Sequence, residues 1–208
     1  MKKWLSLLCS ALLLLSLAAG CASGGENVEE GLDLTVRDLS PQTSADPAAA
    51  TDTDSSTLIL HLYENLLKWT DDGSGHAVLT EGMAQSYTVQ EQNDGSVVYT
   101  FTLRSDARWS DGEPVTAQDF VYAWQRLFSM ETPPAALARA NMVEGYTQAM
   151  QAKDGSLLSG VAAQGDSTLI ITLTGPCAYF LDTFCAGALT MPVRQDLVEQ
   201  YGDDWGSD

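Results

Sequence analysis

A chain of 208 residues with 45% apolar side chains is long enough for one domain, or one and a half, with a buried core. Its charge is lopsided, with 28 acidic against 10 basic side chains and a net −18. That balance argues against nucleic-acid or anionic-lipid binding through the folded part, since both need basic surface; it fits a solvated acidic surface or a site attracting cationic ligands.

Met1-Lys2-Lys3 is a short positive start, and Trp4 to Ala19 is apolar apart from Ser6, Ser10 and Ser16. At about 16 residues this stretch is short for a membrane span and right for the apolar region of a signal peptide. It ends in Leu17-Ala18-Ala19-Gly20-Cys21, which resembles the lipobox of bacterial lipoprotein signal peptides, with Ala18 where Leu is usual. The resemblance implies that residues 1–20 are removed and that the Cys21 thiol is lipidated. Residues 21–31 are rich in Gly, Ser and acid and read as a flexible tether. Two or more acyl chains hold a protein stably, because each buried CH₂ contributes about 0.8 kcal/mol. The mature protein is therefore expected outside the cytoplasmic membrane, on its periplasmic face or the cell surface, held by a lipid.

Leu32, Leu34 and Val36 alternate with polar residues and predict a half-buried strand. Residues 40–54, with Pro41 and Pro47, predict a loop. Ser55 or Ser56 is expected to cap a helix whose stripe is Leu58, Leu62 and Leu66, widened by Ile59 and Tyr63. His61 beside it reads as solvent-facing or hydrogen-bonded, because no second metal ligand is near. Residues 67–70 predict a short strand ended by Asp71-Asp72-Gly73, and residues 77–84 a connection with at most one helical turn. Residues 87–91 and 96–103 flank Asn93-Asp94-Gly95, a strong hairpin signal. On the second strand Val97, Tyr99, Phe101 and Leu103 share one face. Ser110-Asp111-Gly112 then predicts a tight turn. Thr116 with Asp119 predicts a capping box, opening a helix with Phe120, Val121, Trp124, Leu127 and Phe128 on one apolar face.

Thr132-Pro133-Pro134 breaks the chain. Residues 135–142 are helix-compatible, and a second helix follows Gly145 to Ala152. Residues 161–163 and 168–173 predict a hairpin around Gln164-Gly165-Asp166. Residues 178–185 predict a short helix, and 193–201 a last one. Hairpins mixed with helices, without regular β-α-β alternation, give the class α+β, a mixed α/β domain.

Four cysteines occur, at 9, 21, 177 and 185, and their spacing matches no zinc pattern. Cys177 and Cys185 could pair in an oxidising exterior. If the segment between them is helical, eight residues span about 12 Å, beyond the roughly 7 Å limit for a disulfide, and two thiols result instead. No phosphate loop, nucleophile elbow, zinc-protease helix or dinucleotide fingerprint appears. Asp71-Asp72 and Asp203-Asp204 read as turn and solvent-facing charges, not an acid/base pair, so no catalysis, cofactor or metal is expected.

The stretch Arg108-Trp109-Ser110-Asp111-Gly112-Glu113-Pro114-Val115-Thr116-Ala117-Gln118-Asp119-Phe120, with Trp124, closely resembles the signature of extracytoplasmic solute-binding proteins, family 5, the oligopeptide/dipeptide class that serves ABC importers. Ser44-Ala45-Asp46-Pro47, Leu62-Tyr63-Glu64-Asn65-Leu66-Leu67, Pro176 to Phe180 and Tyr201-Gly202-Asp203-Asp204-Trp205 are similar to further family segments, so the resemblance covers residues 32–208. It implies a periplasmic-binding-protein-like fold of class II, two lobes closing on an extended peptide. It also implies delivery of that peptide to ABC permease subunits in the membrane, by a protein expected to be monomeric. Family members are more than twice as long, so residues 32–208 are expected to be the N-terminal part, an incomplete first lobe without the second. Carried over through Asp46-Pro47, the peptide-pairing segment is Ser40-Pro41-Gln42, of which Pro41 has no N–H to donate. Within the resemblance the ligand could instead be a nickel complex or a sugar. A surface lipoprotein reusing the fold for signalling or adhesion is the alternative from another class. Asp111, Thr116 and Trp124 are expected to hold the subdomain in shape, not to bind ligand.

Overall fold

The computed structural model describes residues 44–207, all within the compact unit Asp38–Asp208. The strand expected at 32–36, the leader, the tether, Cys21 and Ser40, Pro41 and Gln42 lie outside the described residues.

Helix α1 (Thr53–Leu62) opens the described chain, followed by strands β1 (Leu67–Asp71) and β2 (Ala77–Glu81), an antiparallel pair. Strands β3 (Ala84–Glu91) and β4 (Val97–Leu103) form the predicted hairpin. Helix α2 (Ala117–Ser129), a 3₁₀ turn (Ala135–Ala140) and helix α3 (Tyr146–Ala152) follow. A second hairpin, β5 (Val161–Gln164) and β6 (Thr168–Leu173), completes a four-stranded antiparallel sheet in the order β3-β4-β6-β5. Helix α4 (Gln195–Tyr201) comes last. This is the mixed α+β class that the hairpin-rich order predicts.

The sheet presents one apolar face because two strands alternate in phase. Val97, Tyr99, Phe101 and Leu103 of β4 are buried, and the register sets Tyr99 opposite Ile171 and Phe101 opposite Leu169 of β6. Helix α2 covers this face with Phe120, Trp124, Leu127 and Phe128, each at most 1% exposed. Burial of side chains this large contributes about 1.5–3 kcal/mol each. Phe180 and Phe184 fill the remaining space, with ring centroids 4.7 Å from Tyr99 and 5.5 Å from Trp124 respectively. Gly95 turns the first hairpin at φ 88°, a conformation that a Cβ disfavours. Asp94 accepts from both the amide (3.0 Å) and hydroxyl (2.7 Å) of Ser96, bonds that hold its carboxyl below the usual range. The capping box of α2 is present: the Thr116 amide donates to Asp119 at 2.7 Å. The first helical amide, that of Ala117, donates to the carbonyl of Asp166 in the second hairpin turn at 2.7 Å, which docks the helix on the sheet.

Several expectations need correction. The cap of α1 is Asp52, whose carboxylate accepts the Ser55 amide at 2.7 Å; Ser55 and Ser56 lie inside the helix. The helix ends at Leu62, because Tyr63 is extended, so the stripe at 58, 62 and 66 is not one face: Ile59 and Leu66 are buried, whereas Leu62 is 58% exposed. Residues 77–81 form strand β2 instead of a connection, because pairing with β1 overrides the weak helical leaning of Ala77, Leu79 and Glu81. Residues 135–140 tighten to a 3₁₀ turn after Pro133-Pro134. The helix expected at 178–185 is a single π turn, Leu181–Cys185. Cys177 and Cys185 are free, and Cys185 is fully buried.

Candidate functional site

Ser44 lies two residues past the segment expected to pair with peptide. It is fixed there by bonds from three distant elements. Asp46, 3% exposed, receives a bidentate pair of hydrogen bonds from Arg126 on α2, Nη1 to Oδ1 and Nη2 to Oδ2, both 2.7 Å. Planar guanidinium against planar carboxylate fixes orientation as well as distance. Asp46 Oδ1 also accepts the Ala48 amide at 3.0 Å. The Ala45 amide (2.8 Å) and the Ser44 hydroxyl (3.2 Å) both donate to the carbonyl of Gly206, and the Ser44 amide donates to Ser55 on α1 at 3.4 Å. Gly206 is glycine for two reasons: its φ is +75°, and a Cβ would lie 2.5 Å from the Asp46 nitrogen. The two ends of the described chain therefore meet on one junction.

The pair is electrostatically consistent. Burial works against the Arg126 charge, but hydrogen bonding and attraction from Asp46 outweigh it and leave the guanidinium more basic than usual. Beside them the Tyr63 phenol is pushed up, first by burial and then by the Asp46 charge.

Tyr63 and Trp205 also line a cleft of about 860 Å³ that runs from α1 to α4. Its walls are mostly apolar: Leu60, Leu62, Trp69, Met83, Met191 and Leu197, with Arg108 and Arg194 at the polar margin. The Trp205 indole N–H is buried and has no acceptor among the described residues. His61 lies on this rim with its ring nitrogen 2.7 Å from the carbonyl of Thr57, the hydrogen-bonded surface role that its sequence context predicts. Asn65, 1% exposed, closes the floor by donating to the carbonyls of Phe184 (3.0 Å) and Gly187 (2.7 Å). Among the described residues no cluster of His, Cys, Asp or Glu is placed to hold a metal.

The signature stretch lends Arg108, Trp109, Ser110 and Val115 to one wall of this cleft, and its other residues hold the surrounding structure together. Arg194, which precedes α4, binds Asp111 at 2.8 Å and Asp196 through two bonds of 2.7 and 2.5 Å. It thereby ties the Ser110-Asp111-Gly112 turn to the last helix. Asp119 in the capping box has its carboxyl raised, because burial outweighs the Thr116 hydrogen bonds that favour the anion. Trp124 is core.

A family model described as bacterial extracellular solute-binding proteins, family 5 Middle, matches residues 78–207. The chain belongs to that family. Among family 5 relatives, the periplasmic oligopeptide-binding protein OppA of Escherichia coli is 34% identical over 95% of this chain and 36% of its own length. The periplasmic murein peptide-binding protein MppA of the same organism is 33% identical over 99% of this chain and 37% of its own. Among solved structures, the pheromone receptor PrgZ superposes with a TM-score of 0.71 at 31% identity, over 81% of this chain and 32% of that one. Haemophilus influenzae OppA in complex with the peptide RPPGFSPFR gives 0.66 at 32% identity, over 79% and 31%. The fold is thus that of periplasmic peptide-binding proteins, as the signature implied. The chain spans about a third of the length of the curated relatives it matches.

Sequence reasoning missed Arg126. It reads as one more polar residue on the solvent side of α2, and its partner lies 80 positions away. The one available signal was the Ser-Ala-Asp-Pro resemblance, whose acidic residue invites the question of what neutralises it once buried.

Proposed function

We propose that this protein is the substrate-binding lipoprotein of an ABC importer that captures extracellular oligopeptides, and that it catalyses nothing. The observation that supports this most is the family match over 78–207, together with relatives described as oligopeptide-binding. In this reading residues 1–20 are a signal peptide, Cys21 carries the lipid, residues 21–31 are the tether, and 32–208 form the N-terminal part of the binding domain. Ser40, Pro41 and Gln42 pair with the peptide main chain in the manner of an added strand, and side-chain pockets stay tolerant. Binding favours a closed state, which ABC permease subunits then recognise. The protein works as a monomer at the outer face of the cell membrane and binds no nucleic acid.

Calorimetry on the product of the complete reading frame, titrated with a mixed pool of di- to pentapeptides, tests this. Saturable heat at micromolar peptide is expected. Silence with peptides, together with heat from a nickel chelate, a sugar or a bile acid, overturns the peptide assignment. The bile acid is included because the probable deoxycholate-binding periplasmic protein YgiS of Escherichia coli is 32% identical over 77% of this chain. PrgZ, described as a pheromone receptor, favours a second reading in which captured peptide serves signalling. Adjacent genes for two permeases and two ATPases favour import; their absence favours signalling.

A further inference from the structure

We infer that the free edge of β3 is a docking site for an extended, basic polypeptide segment of a partner, which adds to the sheet as a further strand. The inference does not depend on how the chain captures its transport ligand. β3 is the outermost strand of the order β3-β4-β6-β5, and among the described residues nothing pairs with its far side. The direction of its main-chain groups follows from the register. The Gln92 amide donates to the Ser96 carbonyl at 2.8 Å, so the hydrogen-bonded pairs of the hairpin recur at every second step from there: Gln90 with Val98, Thr88 with Thr100 and Ser86 with Thr102. The far end of β4 agrees, since the Leu103 amide donates to Ser167 on the β6 side at 2.7 Å and the Arg104 amide to Met83 on the β3 side at 2.9 Å. The amides and carbonyls of Tyr87, Val89 and Glu91 therefore point outward, a row able to make about six bonds to a neighbouring strand.

Edges of this kind are usually blunted by brevity, Lys or Pro. β3 runs eight residues, Ala84–Glu91, without Lys or Pro, and its bulge, between Ala84 and Ser86, leaves the register regular from Ser86 to Glu91. Side chains add a second feature. Tyr87 and Val89 lie opposite Phe101 and Tyr99, on the sheet face that α2 covers over β5 and β6, yet they are 38% and 48% exposed. Tyr87 is held against Phe101, with ring centroids 5.4 Å apart. A strand added here lays every second side chain beside this pair. Charge selects the occupant. Residues 77–103 contain Glu81, Glu91 and Asp94 and no Lys, Arg or His, so the favourable cross-strand neighbour of Glu91 is Lys or Arg. A second copy of this chain is disfavoured, because at net −18 it brings a further acidic edge. The segment that fits carries apolar residues at alternate positions, flanked on the same face by basic ones.

The test uses the product of the complete reading frame and two blocked peptides, acetyl-TKTVTVTKT-amide and its acidic counterpart acetyl-TETVTVTET-amide. Amide hydrogen exchange is followed by NMR. Without peptide, the Tyr87, Val89 and Glu91 amides are expected to exchange freely while those of Thr88 and Gln90 are protected. The basic peptide at about 1 mM is expected to slow the three outward amides about tenfold, as a dissociation constant of about 0.1 mM requires. Glu91→Lys should weaken this binding about two- to fivefold. Val89→Pro removes one outward N–H, spares the ladder to β4, and should weaken it about tenfold or more. Equal slowing by the acidic peptide overturns the proposal, as does slowing at other amides with none at Tyr87, Val89 and Glu91, which places the peptide at another site. Protection of these amides before peptide is added also overturns it; dependence on protein concentration then assigns the edge to a second copy, and independence assigns it to the chain itself. If Val89→Pro does not fold, Glu91→Lys and the exchange pattern of the parent decide by the same criteria.

Discussion

Gly155 packs directly on the backbone of α2, and replacing it by alanine measures how rigid that contact is. The added Cβ would lie 1.9 Å from the carbonyl oxygen of Gln125 and 2.4 Å from its carbonyl carbon, whereas ordinary contact begins near 3.4 Å. The two segments must separate by about 1.5 Å, and neither yields easily. On one side is a helix with seven buried residues. On the other, the Gly155 amide donates to Ser129 at 3.0 Å, and the buried Leu158 follows in the chain. Gly155 does not have a positive φ, so alanine incurs no left-handed strain and gains about 0.4–1 kcal/mol from a stiffer unfolded chain. Overpacking against backbone costs about 1–3 kcal/mol, toward the upper end where no flexible side chain can move aside. The net is a loss of about 2 kcal/mol, or a fall in Tm of about 4–8 °C for a domain of this size. Thermal unfolding followed by circular dichroism and calorimetry reads it. Gly165→Ala is the control, since nothing lies within 4 Å of its Cβ position and only its φ of +67° opposes the change. That strain costs about 1 kcal/mol and about 2–4 °C. A Gly155→Ala protein as stable as its parent, or more so, refutes the argument, because the entropy gain would then exceed the clash. Gln125 adjoins Arg126, so a forced shift of α2 should also loosen the junction at Asp46.

Three further outcomes are expected. Burial pushes the Cys185 thiol well up, so iodoacetamide at pH 8 should label the half-buried Cys177 and spare Cys185 until denaturant is added; peptide mass spectrometry distinguishes the two, and equal labelling in the native state contradicts the burial. Hydrogen bonds from Arg194 hold the carboxyls of Asp111 and Asp196 below the usual range, so their contribution is fully present above about pH 3.9 and is lost as pH falls through the lowered values. Arg194→Ala should move both carboxyl titrations upward in an NMR pH series and narrow the stability gap to the parent in acid; unmoved titrations would mean that the pairs do not persist in solution. Cys21→Ser should shift the protein from the membrane to the soluble fraction, and a mutant that stays with membranes removes the lipid anchor from the proposed function.

The parts of the fold that could be read in the sequence are those whose causes lie within a few residues of each other. Asn93-Asp94-Gly95 turns a hairpin because Gly95 takes a positive φ and Asp94 bonds Ser96 two positions on. Thr116 and Asp119 start a helix by bonding each other. Strand β4 shows its face because period two is set by the backbone itself. Where a distant partner decides, local reading fails. Residues 77–81 have no strict alternation and become a strand only because β1 lies alongside. The Leu58-Leu62-Leu66 spacing suggests one stripe, yet Leu66 is buried through the Asn65 loop that follows the helix, and Leu62 faces the cleft. The junction at Asp46 is the extreme case. A buried aspartate in a polar loop breaks the local rule that such residues face water. The Ala48 amide is a local partner, but the counter-charge comes from Arg126 on α2, 80 positions on, and the steric fit from Gly206. Departures of this kind are expected where function constrains the fold, because a sequence under packing pressure alone has no reason to bury a charge pair. Arg126 stands out through this distant partner and not through local pattern. The family signature at Trp109 to Trp124 is legible for the opposite reason: it encodes a turn and a cap, which are local, whereas the junction encodes a closure between the two ends of the described chain, which is not.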